Sequence, residues 1–213
     1  IKEGGADPVS NSKLRDLIAK AKANNVPNDN IDRLIKKASG EGNKNNYESM
    51  VYEGYGPSGV AVIVECLTDN KNRTVADVRH VFTKYGGTMG ESGSVSFQFD
   101  RMGVITLEKE KYPEEDAVMD MALEAGADDV VDNDEVWEVR TSMADFNAVR
   151  ETLEGQGVEM AEAQLAMVPR ILVPIDAETA QKLFRITDAL EELDDVQNVY
   201  TNADIPDDFE PAG

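Results

Sequence analysis

The chain has 213 residues, with 21 Lys+Arg against 42 Asp+Glu, one His and one Cys, giving a formal net charge of −21. A single Cys excludes an internal disulfide, and one His with one Cys leaves no metal site of the nitrogen-and-sulfur kind. No apolar run approaches the roughly 18 residues of a membrane span, and a hydrophobic content of 41% is that of a soluble globular protein with room for one large core or a few small ones.

The chain begins IKEGGADP, without Met and without a signal-peptide pattern, so an N-terminal piece is expected to have been cut away. In NSKLRDLIAKAKANN (11–25), Leu14, Leu17, Ile18 and Ala21 recur at helical spacing, with Lys13, Arg15, Lys20 and Lys22 off that stripe. VPND follows, with Asn28 the expected N-cap of a second helix. That helix, DNIDRLIKKA, turns Ile31, Leu34, Ile35 and Ala38 inward and Arg33, Lys36 and Lys37 outward, and Gly40 ends it. Two short helices bury little by themselves. GEGNKNN (40–46) reads as a polar linker. Residues 1–46 hold nine Lys/Arg and six Asp/Glu, a balance of +3.

From Tyr47 the period changes to two. YESMVYEG, the turn GYGPSG and the buried run VAVIVECL (60–67) read as a hairpin. A helix over about 72–85 puts Val75, Val78, Phe82 and Tyr85 on its apolar face; GGTMGESGS (86–94) reads as a flexible loop, and VSFQFD (95–100) as a third strand. Strand GVITLEK, helix PEEDAVMDMALEAGA, strands DDVVDN and EVWEVRTS, helix MADFNAVRETLEGQG and strand AEAQLAMVP then complete a βαββαβ, ferredoxin-like order within 103–169. The final helix (177–193) and strand (195–202) complete the unit begun at Tyr47. The fold expected is α+β with three domains: an all-α domain over 1–46, a discontinuous α/β domain over 47–102 plus 170–213, and an inserted domain over 103–169. Residues 101–169 hold five Lys/Arg and eighteen Asp/Glu, and residues 170–213 three and eleven. A chain basic at one end and acidic elsewhere implies different partners for its parts, or an acidic body that resists nonspecific adhesion.

Catalytic chemistry does not assemble. His80 lies in the helical stretch TVADVRH without a Ser partner, and the acidic pairs are scattered. GYGPSG joins strand to strand, which is not phosphate-loop geometry. Two stretches suit an anion: GGTMGESG as a backbone nest, and the strand-to-helix junction TDNKNRT (68–74). At that junction Lys71 and Arg73 stand where the helix dipole is already positive, with Arg79 and Lys84 further along the helix. Together with Lys13, Lys20, Arg33, Lys36 and Lys37 they form two basic surfaces of the kind that contact phosphate backbone. A pairing of Arg73 with Asp77, one turn on, is the competing structural account.

GGADP…N…LR (4–15), AKANNVPNDNIDRLIKKA (21–38), YEGYGPSGVAVIVECLTDNKNRTVADVRHVFTKYGG (52–87) and GSVSFQFDRMGVI (93–105) resemble the YebC/PmpR family across essentially the whole chain. The resemblance implies the three-domain fold and a cytoplasmic, DNA-binding transcriptional regulator without cofactor or metal. The same family includes the mitochondrial translational activator of cytochrome c oxidase, so a ribosome or ribosomal RNA is the alternative target. A protein partner for the acidic domain and an anion-binding enzyme or sensor are further readings, and no membrane partner is expected. Members usually begin with a basic stretch resembling MAGHSKWANIKHRK, which this sequence lacks.

Overall fold

In chain order the elements are α1 (Ser12–Ala23), α2 (Asn28–Ser39), β1 (Glu48–Tyr55), β2 (Ala61–Thr68), α3 (Lys71–Lys84), β3 (Thr88–Met89), β4 (Phe99–Glu108), α4 (Glu115–Glu124), β5 (Asp129–Asn133), β6 (Val136–Thr141), α5 (Phe146–Gly155), β7 (Glu162–Pro169), β8 (Val173–Pro174), α6 (Ala177–Glu191), β9 (Val196–Thr201) and β10 (Ala203–Asp204). This computed structural model describes residues 1, 4–39 and 47–211, so the linker read at 40–46 lies outside the described residues. The fold is α+β, and the chain separates into two units, Ile1–Tyr47 and Glu48–Gly213.

In the first unit Asn11 starts α1. Its Oδ1 accepts the Leu14 N–H at 3.1 Å while its Nδ2 donates to the Gly5 carbonyl at 2.8 Å. Helix α2 already includes Asn28, and the carbonyl of Pro27 accepts the Asn30 and Ile31 N–H groups, so Asn28 is its first residue rather than its cap. The apolar stripes are only half used. Leu14 and Ile31 are buried, whereas Leu17 and Leu34, expected inside, are 59% and 58% exposed. Two 12-residue helices offer each other one strip of contact, too narrow to cover two full stripes.

The second unit holds two four-stranded sheets. In the order β3-β1-β2-β9, the hairpin β1–β2 turns at Pro57–Gly59, where Ser58 and Gly59 take positive φ of 57° and 76°. Helices α3 and α6 cover one face of this sheet, and Val62, Val64, Val78, Phe82, Leu183 and Ile186 fill the space between. On the other face Ala61 and Ile63 pack against Val95 and Phe99, with Met167 and Tyr200 partly buried alongside. Being covered on both sides is why residues 60–64 are continuously apolar instead of alternating.

Two expectations fail here. Residues 95–100 do not form a strand of this sheet: Ser96–Gln98 make a 3-10 turn, and Phe99 opens a single strand, β4, that runs unbroken to Glu108. The stretch 86–94, expected as loop, contains the edge strand β3, which pairs Gly54 with Met89. The alternation Val95, Phe97, Phe99 looks like a strand, but the N–H groups of Val95 and Ser96 are taken by a side chain, as described below, and cannot join a ladder.

The second sheet, β5-β6-β4-β7, is antiparallel throughout, as the βαββαβ order predicts. Ile105, Leu107, Val118, Trp137, Val139 and Leu153 form its core with α4 and α5. Gly103 permits this packing, because a β-carbon there would lie 2.5 Å from the Phe146 ring and 2.2 Å from Thr141 Oγ1. The parallel pair β8–β10, two residues on each side, was not expected; segments that short carry no periodicity to read.

Candidate nucleic-acid interface

Lys13, Lys20, Arg33, Lys36 and Lys37 are all exposed on α1 and α2. Lys20 sits in the last turn of α1 and Lys36 and Lys37 in the last turn of α2, where the helix dipole favours positive charge. Arg33 Nη2 donates to Asn30 Oδ1 at 3.3 Å, an exposed contact one turn back. Leu14 and Ile31 alone anchor this surface among the buried apolar residues described in 1–47. A pair of short helices with so little core presents charge readily and precise geometry poorly, which suits backbone phosphates better than base edges.

The junction before α3 has a different construction. Asn70 caps the helix, its Oδ1 accepting the Arg73 N–H at 3.1 Å, while Thr68 Oγ1 accepts the Asn70 N–H at 2.9 Å. Arg73 Nη2 lies 2.8 and 2.9 Å from the two carboxylate oxygens of Asp195, with Nε at 3.2 Å, and Nη2 also reaches Asp69 Oδ1 at 3.1 Å. Its ion pairs are therefore with Asp195 and Asp69 rather than with Asp77. Thr74 Oγ1 lies 2.8 Å from Asp195 Oδ2. Burial works against the Asp195 charge, yet Arg73 and Thr74 outweigh it and hold the carboxyl below its ordinary value. Lys71 in turn pairs with Glu48 at 2.5 Å. The anion that this junction is shaped to receive is the protein's own Asp195, supplied from the entry to β9.

The glycine-rich loop behaves in the same way. Glu53, on β1 and only 4% exposed, points its carboxylate into residues 93–96. It accepts the N–H groups of Gly93 at 2.8 Å, Val95 at 2.7 Å and Ser96 at 2.8 Å. Burial alone would raise this carboxyl, but the three N–H donors pull it below its usual range. Gly93 adopts φ 86°, the left-handed turn that brings these donors together. The nest read as a phosphate cradle is filled by Glu53. Sequence inspection missed both carboxylates, since Asp195 lies 122 residues from Arg73 and Glu53 lies in a strand whose pattern gave no reason to bury it.

On the exposed side of α3, Arg79, His80 and Lys84 face outward, and the Lys84 ammonium lies 4.9 Å from the Tyr85 ring centre. Cys66 is buried, which pushes its thiol up to about 12, so it is no nucleophile at neutral pH. Among the described residues no three His, Cys, Asp or Glu side chains gather as metal ligands, and no helix is long and apolar enough to cross a membrane.

Comparisons with known proteins follow the same division of the chain. A family model described as the TACO1/YebC protein N-terminal domain matches residues 1–41, and one described as the TACO1/YebC second and third domain matches residues 47–203. A protein of Clostridium botulinum named "probable transcriptional regulatory protein" is 55% identical over 210 residues, covering 99% of this chain and 85% of its own length. Proteins of the same name from Clostridium perfringens and Clostridium novyi are 54% and 53% identical, each again matched over 85% of its length. The crystal structure of a conserved hypothetical protein from Aquifex aeolicus superposes with a TM-score of 0.86 at 45% identity, over 96% of this chain and 84% of that one.

Proposed function

Because the chain belongs to the TACO1/YebC family, whose clostridial relatives carry the name "probable transcriptional regulatory protein", we propose that it is a nucleic-acid-binding regulator of gene expression that holds DNA through phosphate contacts and carries out no catalysis. One observation carries this reading: Lys13, Lys20, Arg33, Lys36 and Lys37 stand exposed on two helices of a segment with a charge of +3, in a chain whose total is −21. Cations concentrated on one part of an acidic molecule attract phosphate there and repel it elsewhere, which orients the complex as well as stabilising it. Lys71 and Arg73 belong to the proposal as contacts that exchange an internal carboxylate for a phosphate, and Arg79 and Lys84 as contacts on the outer side of α3. The acidic domain proposed over 103–169 faces solvent or a protein partner, and the setting is the cytoplasm.

The test is the salt dependence of binding to a labelled duplex of about 30 base pairs. Each phosphate neutralised contributes a log–log slope near −0.9, so Lys36→Ala with Lys37→Ala should flatten the slope by roughly one to two units, equally for unrelated sequences. A full-length protein that ignores duplex DNA but comigrates with ribosomes and crosslinks to their RNA would transfer the same surface to translation.

A further inference from the structure

Residues 48–213 carry twelve Lys/Arg and thirty-six Asp/Glu, so nearly every cation there has carboxylates within reach. Nine of the twelve make an ion pair with one. The other three are Arg79, Lys84 and Arg185, all exposed, and none has a carboxylate partner among the described residues. Arg79 and Lys84 lie on α3 and Arg185 on α6, the two helices that pack together over one face of the β3-β1-β2-β9 sheet. The apolar positions of these helices, Val78 and Phe82 in α3 and Leu183 and Ile186 in α6, are buried in the core beneath. The three cations therefore project from the solvent side of a rigid helical layer. Lys182, on the same layer, is by contrast held by Glu178 at 2.7 Å.

We infer that the outer surface of the α3–α6 layer is a second phosphate-contacting face, in which Arg79, Lys84 and Arg185 grip the backbone of duplex DNA. The inference rests on the nucleic-acid reading above and adds a site within the acidic unit, including Arg185, which the sequence did not single out. Three cations without an ion pair make that layer more attractive to an anion than the rest of an otherwise acidic unit, even with Asp77 and Asp188 exposed on the same helices. Arginine suits the role because its planar fork meets two phosphate oxygens at once.

The full-length protein with Arg79→Gln, Lys84→Gln and Arg185→Gln together is the decisive variant, titrated against a labelled duplex of about 30 base pairs over a range of salt. None of the three side chains is ion-paired, so the melting temperature should fall by no more than the loss of the exposed Lys84–Tyr85 contact accounts for. The log–log salt slope should fall by about two to three units, at roughly 0.9 per phosphate. Lys182→Gln, which removes a cation already paired with Glu178, should change the slope by less than one unit. An unchanged slope in the triple variant, with a flattened one in the Lys36→Ala, Lys37→Ala protein, would overturn this face and leave the first unit's role intact. Loss of binding to polyglutamate without loss of binding to DNA would overturn it in favour of an acidic protein partner, and a loss confined to single-stranded RNA would overturn the duplex assignment. Wild-type protein that binds no duplex at any salt would remove both readings together.

Discussion

In residues 1–47 the cations described stand on two helices with Leu14 and Ile31 as their buried anchors, and Arg15 lies 3.7 Å from Asp16; in residues 48–213 nine of twelve cations lie against a carboxylate. Helices α1 and α3 are both capped by a neutral side chain, Asn11 and Asn70, but the second unit in addition sets the Glu53 carboxylate against three backbone N–H groups and Asp195 against Arg73 and Thr74. Net charge is therefore a poor guide to what either unit attracts. In the second unit part of the negative charge serves as counterion to the protein's own donors, as Asp195 does for Arg73 and Glu53 for residues 93–96, and the cations without an ion pair lie on α3 and α6.

The contrast is broken most severely at Glu53. Removing its side chain with Glu53→Ala leaves three N–H groups of residues 93–96 without an acceptor, at about 1–3 kcal/mol each; because those of Gly93 and Ser96 are only partly buried and water can reach them, a loss in the lower part of that sum, about 3–5 kcal/mol, is expected by chemical denaturation. The same residue predicts an acid limb. Its carboxyl is lowered in the folded state, so the folded protein gives up this proton to water more readily than the unfolded chain does. Its contribution is thus complete above the unfolded carboxylate range, near pH 4.3, and is lost as pH falls through the lower native value. Glu53→Gln should be less stable at neutral pH and show a shallower decline between about pH 5 and pH 2; an equally steep decline would assign acid lability to other groups.

Asp195 sharpens the comparison with a smaller effect. Asp195→Asn weakens the contacts to both Arg73 and Thr74 at the start of α3, and about 1–2 kcal/mol should be lost. Arg73→Gln should lower the melting temperature by less, because Arg73 is half exposed and Asp195 retains Thr74. A double-mutant cycle reads the coupling directly. Additive losses would mean that the ion pair contributes nothing beyond its two separate side chains.

Element order was legible because it rests on periodicity: Val78 and Phe82 on α3, and the βαββαβ alternation from β4 to β7, are local patterns. What escaped reading was non-local. The run VSFQFD has the alternation of a strand, yet its start is turned by a carboxylate 42 residues earlier in the chain, and Arg73 is paired with one 122 residues later. No window of ten or twenty residues contains both partners. Exposure of Leu17 and Leu34 was hidden for the opposite reason, since periodicity reports which face a helix would bury and not whether anything covers it. The basic side chains were visible at once, but which of them are held by carboxylates followed only from the folded arrangement.

The smallest effect separates charge from scaffold in the first unit. Lys36 and Lys37 occupy the last turn of α2, so their ammonium groups interact favourably with the carbonyl end of the helix. Replacing both with Ala removes that interaction, but Ala is the better helix former, and the two terms oppose each other. A net change in stability of no more than about 0.5 kcal/mol in either direction is expected, measured by thermal melting at low salt. The same variant should lose salt-sensitive DNA affinity, as argued above. Stability nearly unchanged with affinity reduced would show that these lysines serve a partner. A loss above about 1 kcal/mol, with affinity falling only in proportion to the folded fraction, would make them part of the helix's own electrostatics, and the first unit would then resemble the second in using its charges on itself.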